Sequence, residues 1–308
     1  MPGARGLTFF RRSPIIKDIE GRGANPVVEV RQYHSLEAFS ARALPFLTAR
    51  EAENNLPIGI LERGLHEGMD AQWFMAMVSD GQGRDVLMAL MTPPHNLILA
   101  QSEPCPAALQ ALTGELMRLN LALPGVIGET ALAWAFGRGY AQANGLEAEC
   151  ALEERAYRLD AVVWPRQTGT LRPARVQDLH FLPYWIQDFN REALGQDTPL
   201  DAEGLRPVLE MGRYYLLEKS GQPVCLVGAT RKTPHGRSVG PVYTPPFFRG
   251  RGHAAWATAR LSDLLLKQGN DYCVLFADLN NPISNHVYQK IGYRPLSDFA
   301  QLRFKEKT

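Results

Sequence analysis

Apolar and polar residues alternate from Val27 to Tyr33, and then the period changes: Leu36 to Leu47 and Leu56 to Leu65 carry their apolar residues three and four apart. Alternation puts one face of a strand on a core, and the longer spacing does the same for one face of a helix. Trp73 to Val78, Asp85 to Met91 and Asn96 to Ala100 are strand-like again, with Gly81-Gln82-Gly83 marking a turn between the first two. Ala107 to Leu121 and Glu129 to Asn144 return to the helical period, Gly145 is a natural stop, and Glu149 to Val162 closes the run as a strand. The order is strand, two helices, three strands, two helices, strand.

The second half repeats the order. Gly169 to Arg172 is extended, Asp178 to Ala193 and Ala202 to Met211 are helical, and Tyr214 to Glu218, Val224 to Arg231 and Arg237 to Tyr243 form a meander. A helix over Gly252 to Gln268, a strand over Tyr272 to Ala277, a helix over Pro282 to Ile291 and a strand over Phe299 to Phe304 follow. The two openings can be laid over each other: Val30-Arg31 before Leu36-Glu37-Ala38-Phe39 parallels Leu171-Arg172 before Gln177-Asp178-Leu179-His180-Phe181. Arg31 and Arg172 are 172 − 31 = 141 residues apart, about one domain's length. The expected architecture is α+β, with residues 1–26 a flexible extension and domains over 27–165 and 166–308. Arg11-Arg12 in the extension lacks the apolar segment that an export signal needs.

Composition narrows the function. With 308 residues, 45% hydrophobic, 21% charged and a net charge of +1, the chain has room for two cores but no field to attract nucleic acid or an anionic membrane. No apolar run approaches the ~20 residues of a membrane span. Cys105, Cys150, Cys225 and Cys273 lie far apart, which argues against a metal site and for reduced thiols in a cytoplasmic protein.

The chemistry concentrates after the strand ending at Tyr243, in Thr244-Pro245-Pro246-Phe247-Phe248-Arg249-Gly250-Arg251-Gly252-His253-Ala254. Two glycines free the backbone for positive φ, so that successive N–H groups can face one anion. The helix that follows adds unpaired amides and the positive end of its dipole, and Arg249 and Arg251 add charge. No Lys-Ser or Lys-Thr follows the second glycine, which argues against a P-loop. Phe136-Gly137-Arg138-Gly139-Tyr140 is similar in composition but lies inside a helical pattern with no strand leading into it.

Arg249-Gly250-Arg251-Gly252-His253-Ala254 resembles the Gln/Arg-x-x-Gly-x-Gly/Ala acetyl-coenzyme A loop of the Gcn5-related N-acetyltransferases (GNAT), and Asp278 to Pro295 resembles the second half of that family's cofactor site. The resemblance implies two tandem GNAT-like domains, each a mostly antiparallel sheet flanked by helices. The first is degenerate, because Gln101-Ser102-Glu103-Pro104-Cys105-Pro106 stands where the loop should be. That domain is expected to wall the acceptor cleft or to form a subunit contact, as in a homodimer.

The resemblance also implies roles. Backbone groups of Val242, Tyr243 and Thr244, on a strand splayed from its neighbour, would hold pantetheine and polarise the acetyl carbonyl. Arg249, Gly250, Arg251, Gly252, His253 and Ala254 would hold the pyrophosphate. Asn281 caps the later helix with Pro282 at its first position, which brings Ser284, Asn285 and Tyr288 to the cofactor, with Tyr288 as the acid that protonates the departing thiolate. Glu218 and Asp278 are the candidate bases. Trp185, Asp188, Phe189, Glu192 and Gly195 to Leu200 would shape the acceptor pocket. The expected activity is acetyl transfer from acetyl-CoA to a small amine by direct attack, without a metal. The alternative is an acetyl-CoA sensor that binds and does not turn over.

Overall fold

A computed structural model describes residues 28–68, 72–195, 197 and 199–307. The extension expected over 1–26 and two positions of the 195–200 link lie outside the described residues. The first half runs β1 (Glu29–Tyr33), α1 (Leu36–Thr48), α2 (Asn55–Glu67), β2 (Phe74–Ser79), β3 (Asp85–Met91), β4 (Leu97–Gln101), α3 (Pro106–Arg118), β5 (Gly125–Glu129), α4 (Thr130–Asn144) and β6 (Leu146–Leu159). The second runs β7 (Thr170–Pro173), α5 (Leu182–Leu194), α6 (Ala202–Glu210), β8 (Tyr214–Lys219), β9 (Gln222–Lys232), β10 (Gly236–Tyr243), α7 (His253–Lys267), β11 (Tyr272–Asp278), α8 (Pro282–Lys290) and β12 (Arg294–Glu306).

Local chemistry sets most boundaries. Ser35 caps α1 by accepting from the Ala38 amide at 3.2 Å, Asp201 caps α6 through the Gly204 amide at 2.8 Å, and Gly145 ends α4 in the left-handed region. Two expectations need correction. Strand β5 is an addition to the expected order: Gly125–Glu129 is short and glycine-containing, and it is a strand because β12 and β4 pair with it on either side. The single helix expected over Asp178 to Ala193 is broken at Phe181, with a 3₁₀ turn over Val176–His180 before it, because Pro183 starts α5 afresh.

The strands form one twelve-stranded sheet, in the order β1-β2-β3-β4-β5-β12-β6-β11-β10-β9-β8-β7. The halves have exchanged their closing strands. β6 runs antiparallel to β11, from Leu159 opposite Cys273 to Glu154 opposite Asp278, while β12 lies between β5 and β6. Separating the halves would break both ladders. In the second half, α7 and α8 pack one face of the sheet in a core built on Tyr157, Ala257, Leu261, Cys273 and Ile291. On the opposite face, Ala52 from the turn after α1 packs on Tyr272 and Val274.

Beside Ala52, Glu51 bolts the halves together. Its carboxylate accepts from the backbone amide of His235 at 2.9 Å and from Tyr272 Oη at 2.8 Å, and lies 2.7 Å from His235 Nδ1. Burial works to raise its pKa, but these hydrogen bonds outweigh burial and hold it at about 2. The same contact raises the pKa of His235. The Glu51 contribution is present above its ordinary 4.5 and is lost as pH falls toward 2. The His235 contribution is present below its ordinary 6.5 and is lost as pH rises through the raised value. Glu51→Gln is therefore expected to cost about 2 kcal/mol near pH 6. By calorimetry the loss should shrink as the pH approaches 2, where the wild-type carboxylate is itself protonated.

Candidate active site

The sheet opens at one place. β10 pairs in parallel with β11 only from Gly236 to Ser238, against Tyr272 to Val274. Beyond that, β11 stays with β6 as far as Asp278, and β10 stays with β9 through two register shifts as far as Tyr243. The strands part, so the β11-facing backbone groups of Val239 to Tyr243 have no ladder partner. Val242, Tyr243 and Thr244 border this gap.

The loop continues from β10. A 3₁₀ turn over Pro246–Phe248 leads to Gly250 at φ 74° and Gly252 at φ 73°, a conformation that L residues adopt at a cost of roughly 1–2 kcal/mol. The first helical bond of α7 runs from Trp256 N to Gly252 O at 3.2 Å. The amides of His253, Ala254 and Ala255 therefore have no acceptor within the helix. His253 is only 3% exposed and its Nδ1 is buried without a partner. Burial lowers its pKa, and the charges of Lys219 and Arg251 lower it further. Unpaired amide donors at a helix N-terminus and the positive field of Arg251 and Lys219 make the loop suited to an anion.

The two arginines of the loop differ. Arg249 is already engaged, donating through Nε to Thr244 O at 2.8 Å and through Nη2 to both Glu192 oxygens at 3.0 and 2.7 Å. Arg251 lies over the Phe247 ring at 5.4 Å and, among the described residues, makes no ion pair. Lys219, the last residue of β8, is the cation that sequence reasoning missed, since only the sheet brings it beside α7.

Helix α8 is held by its own asparagines. Asn281 accepts from the Ser284 amide at 3.1 Å. Asn285 donates to Asp278 O and Asn281 O, both at 2.8 Å, and accepts from Tyr157 Oη at 2.6 Å. Both side chains thus position the helix, and that of Ser284 remains partly exposed. Tyr288 is buried against Tyr293, with ring centroids 6.2 Å apart. Burial, and then the neighbouring Cys225, push its pKa well above the ordinary phenol value. Cys225 accepts from Thr244 Oγ1 at 3.3 Å, which brings this pocket to the end of β10; its own thiol is pushed up to about 12. A phenol in this state stays protonated and can serve as an acid.

The carboxylates are dispersed. Glu218 accepts from Arg172 Nε at 2.7 Å, and the same guanidinium grips Asp178 at 2.7 and 2.8 Å, in a separate depression beside Trp185. Asp278 Oδ1 accepts from the Asn280 amide at 2.8 Å and so shapes the turn before α8. On α5, Asp188 accepts from Tyr243 Oη at 3.2 Å and Glu192 holds Arg249, while Trp185 and Phe189 pack on the core.

A cavity of about 1160 Å³ lies between the halves, lined by α2 on one side and by β9, β11 and β12 on the other. On its floor is Glu154 of β6, directly across the ladder from Asp278 and touched by Gln301 Nε2 at 3.5 Å. Burial is the main cause of its raised pKa; Gln301 and Arg231 oppose the rise and Asp278 adds to it. Sequence reasoning passed over Glu154 because it belongs to the half without the loop, and only strand exchange sets it beside β11. Among the described residues no group of three or more His, Cys, Asp or Glu could hold a metal ion, and no helix is long and apolar enough to cross a membrane.

Comparison with known proteins agrees with this geometry. Residues 220–302 match the family described as FR47-like protein. Among solved structures, a GNAT-family acetyltransferase from Colwellia psychrerythraea is 13% identical, with TM-score 0.55, covering 90% of this chain and 100% of its own. A GCN5-related N-acetyltransferase from Sphaerobacter thermophilus is 17% identical, with TM-score 0.58, covering 90% and 95%. A tandem GNAT protein from the clavulanic acid biosynthesis pathway is 11% identical, with TM-score 0.55, covering 91% and 98%. At such identities the likeness establishes the fold. A comparison with curated proteins finds no match.

Proposed function

From the premise that this chain has the fold of the Gcn5-related N-acetyltransferases and an FR47-like stretch in its second half, we propose that it moves an acetyl group from acetyl-CoA to a small amine. The observation that carries this reading is the gap between β10 and β11. Behind it lie the loop and Tyr288, in the core of α7 and α8; in front of it lies the cavity with Glu154. A thioester held on one face and an amine held on the other meet where the sheet is open.

In this reading the amides at His253 to Ala255, Arg251 and Lys219 hold the pyrophosphate, and the free backbone groups of Val242 to Thr244 hold the pantetheine arm and polarise the carbonyl. Glu154 takes a proton from the ammonium, directly or through a water. The neutral nitrogen attacks the carbonyl carbon, the C–S bond breaks as Tyr288 gives its proton to the thiolate, and the second proton lost from the nitrogen returns to the Tyr288 phenolate. Asp278, across the ladder, keeps Glu154 basic. The two domains then divide the work: residues 166–308 carry the donor site, and residues 27–165 contribute the base and a wall.

The reading is tested by following thiol release from acetyl-CoA over a panel of amines. Release that requires an added amine is expected. Coenzyme A binding without release for any amine would instead support the sensor.

A further inference from the structure

The cavity wall formed by β9 carries a cation without a counter-ion. Arg231 is partly buried there, with its guanidinium 5.8 Å from the Phe276 ring. A guanidinium has five N–H donors. Here Nε donates to Asn55 Oδ1 at 2.9 Å and Nη2 to Ser238 Oγ at 3.1 Å, so 5 − 2 = 3 donors remain. Asn55 and Ser238 are themselves buried, at 2% and 3% exposure, and both are neutral. They aim Arg231 without neutralising it.

Among the described residues no carboxylate makes an ion pair with it. Arg213, Lys232 and Arg237 line the same cavity, and among the described residues none of the four has an ion-pair partner. The Arg237 Nε is buried without any acceptor. On the α2 side, Glu67 pairs with Arg63 and Glu53 with Arg50, while Glu62 also lines the cavity and makes no ion pair with any of the four cations. Glu154 is near enough to be felt electrostatically by Arg231 but makes no ion pair with it. A partly desolvated guanidinium left in this state is costly unless an anion arrives.

We propose that the acceptor is an amine that also carries a carboxylate, an amino acid or a close relative, and that Arg231 binds the carboxylate while the amine faces Glu154. This rests on the reading of the cavity as the acceptor site. Both anchors and one aromatic ring line the same cavity: Arg231 lies over Phe276, and Phe276 is opposite Ala156, two residues along β6 from Glu154. The free donors lie in one plane and can grip the two oxygens of a carboxylate side by side.

The test compares thiol release for glycine, β-alanine and γ-aminobutyrate with release for their primary amides and the matching aminophosphonates, at equal concentrations of neutral amine. At least one acid is expected to exceed its amide by ~10-fold or more in kcat/KM, as one charge-assisted pair requires. In Arg231→Gln that ratio should collapse toward one, chiefly through the KM of the acid. Should this variant not fold, the wild-type ratio decides alone. Amides or aminophosphonates used as well as the acids overturn the carboxylate assignment and leave the acyltransferase standing. No release with any amine overturns both.

Discussion

Glu154→Gln is expected to lower kcat/KM for the acceptor by ~10²–10³-fold near neutral pH, because it removes the base and keeps the shape. The sign of the pH dependence follows from the environment. Burial raises the Glu154 pKa from its ordinary 4.5, and the opposing influence of Gln301 and Arg231 does not cancel the rise. Since the base works ionised, wild-type activity should climb as pH rises through that elevated value. The variant should lose this limb and follow only the ionisation of the amine. Stability should move the other way. A carboxyl with a raised folded-state pKa contributes stability at low pH that is lost as pH rises past it, so at pH 7 the ionised group is a burden. The Glu154→Gln change should leave the melting temperature unchanged or higher. A purely structural Glu154 would predict a fall in melting temperature and no change in the pH–rate profile.

Tyr288→Phe should reduce thiol release by at least ~10-fold, and by as much as ~10²-fold if thiolate departure limits the rate. The ring packing against Tyr293 survives the change, so coenzyme A affinity by calorimetry and the melting temperature should stay close to wild type. The two variants separate the ends of the reaction. Loss at Glu154 should depend on the basicity of the amine, whereas loss at Tyr288 should depend on the thiol that leaves. A Tyr288→Phe enzyme that turns over like wild type would remove the phenol from the mechanism and return the role of acid to water.

Much of the local structure of the proposed donor site was legible because it is written in short-range terms. Gly250 and Gly252 take up positive φ where the loop turns, Asn281 caps α8 with Pro282 behind it, and Phe136 to Tyr140 lie inside α4. Each depends on a few neighbouring residues, so a local pattern suffices. What was missed depends on partners far along the chain. Gly125–Glu129 has too little apolar character to declare itself, and it becomes a strand only between β4 and β12. Arg249 reads as a free phosphate ligand until α5 brings Glu192 to it, and Glu218 reads as a free base until Arg172 closes on it.

By itself the amino-acid order determined the turn of the Gly250–Gly252 loop, the tandem repeat of elements and the helix that carries Tyr288, since dihedral preference, capping and periodicity act within a turn or two. The tertiary structure alone decided that the halves exchange their final strands, and with that, which carboxylate of β6 lies beside Asp278 of β11. Pairing between β6 and β11 joins residues more than a hundred positions apart. No local propensity encodes such a choice of partner, because either half could have kept its own last strand with the same alternation of side chains; burial across the whole sheet selects between them.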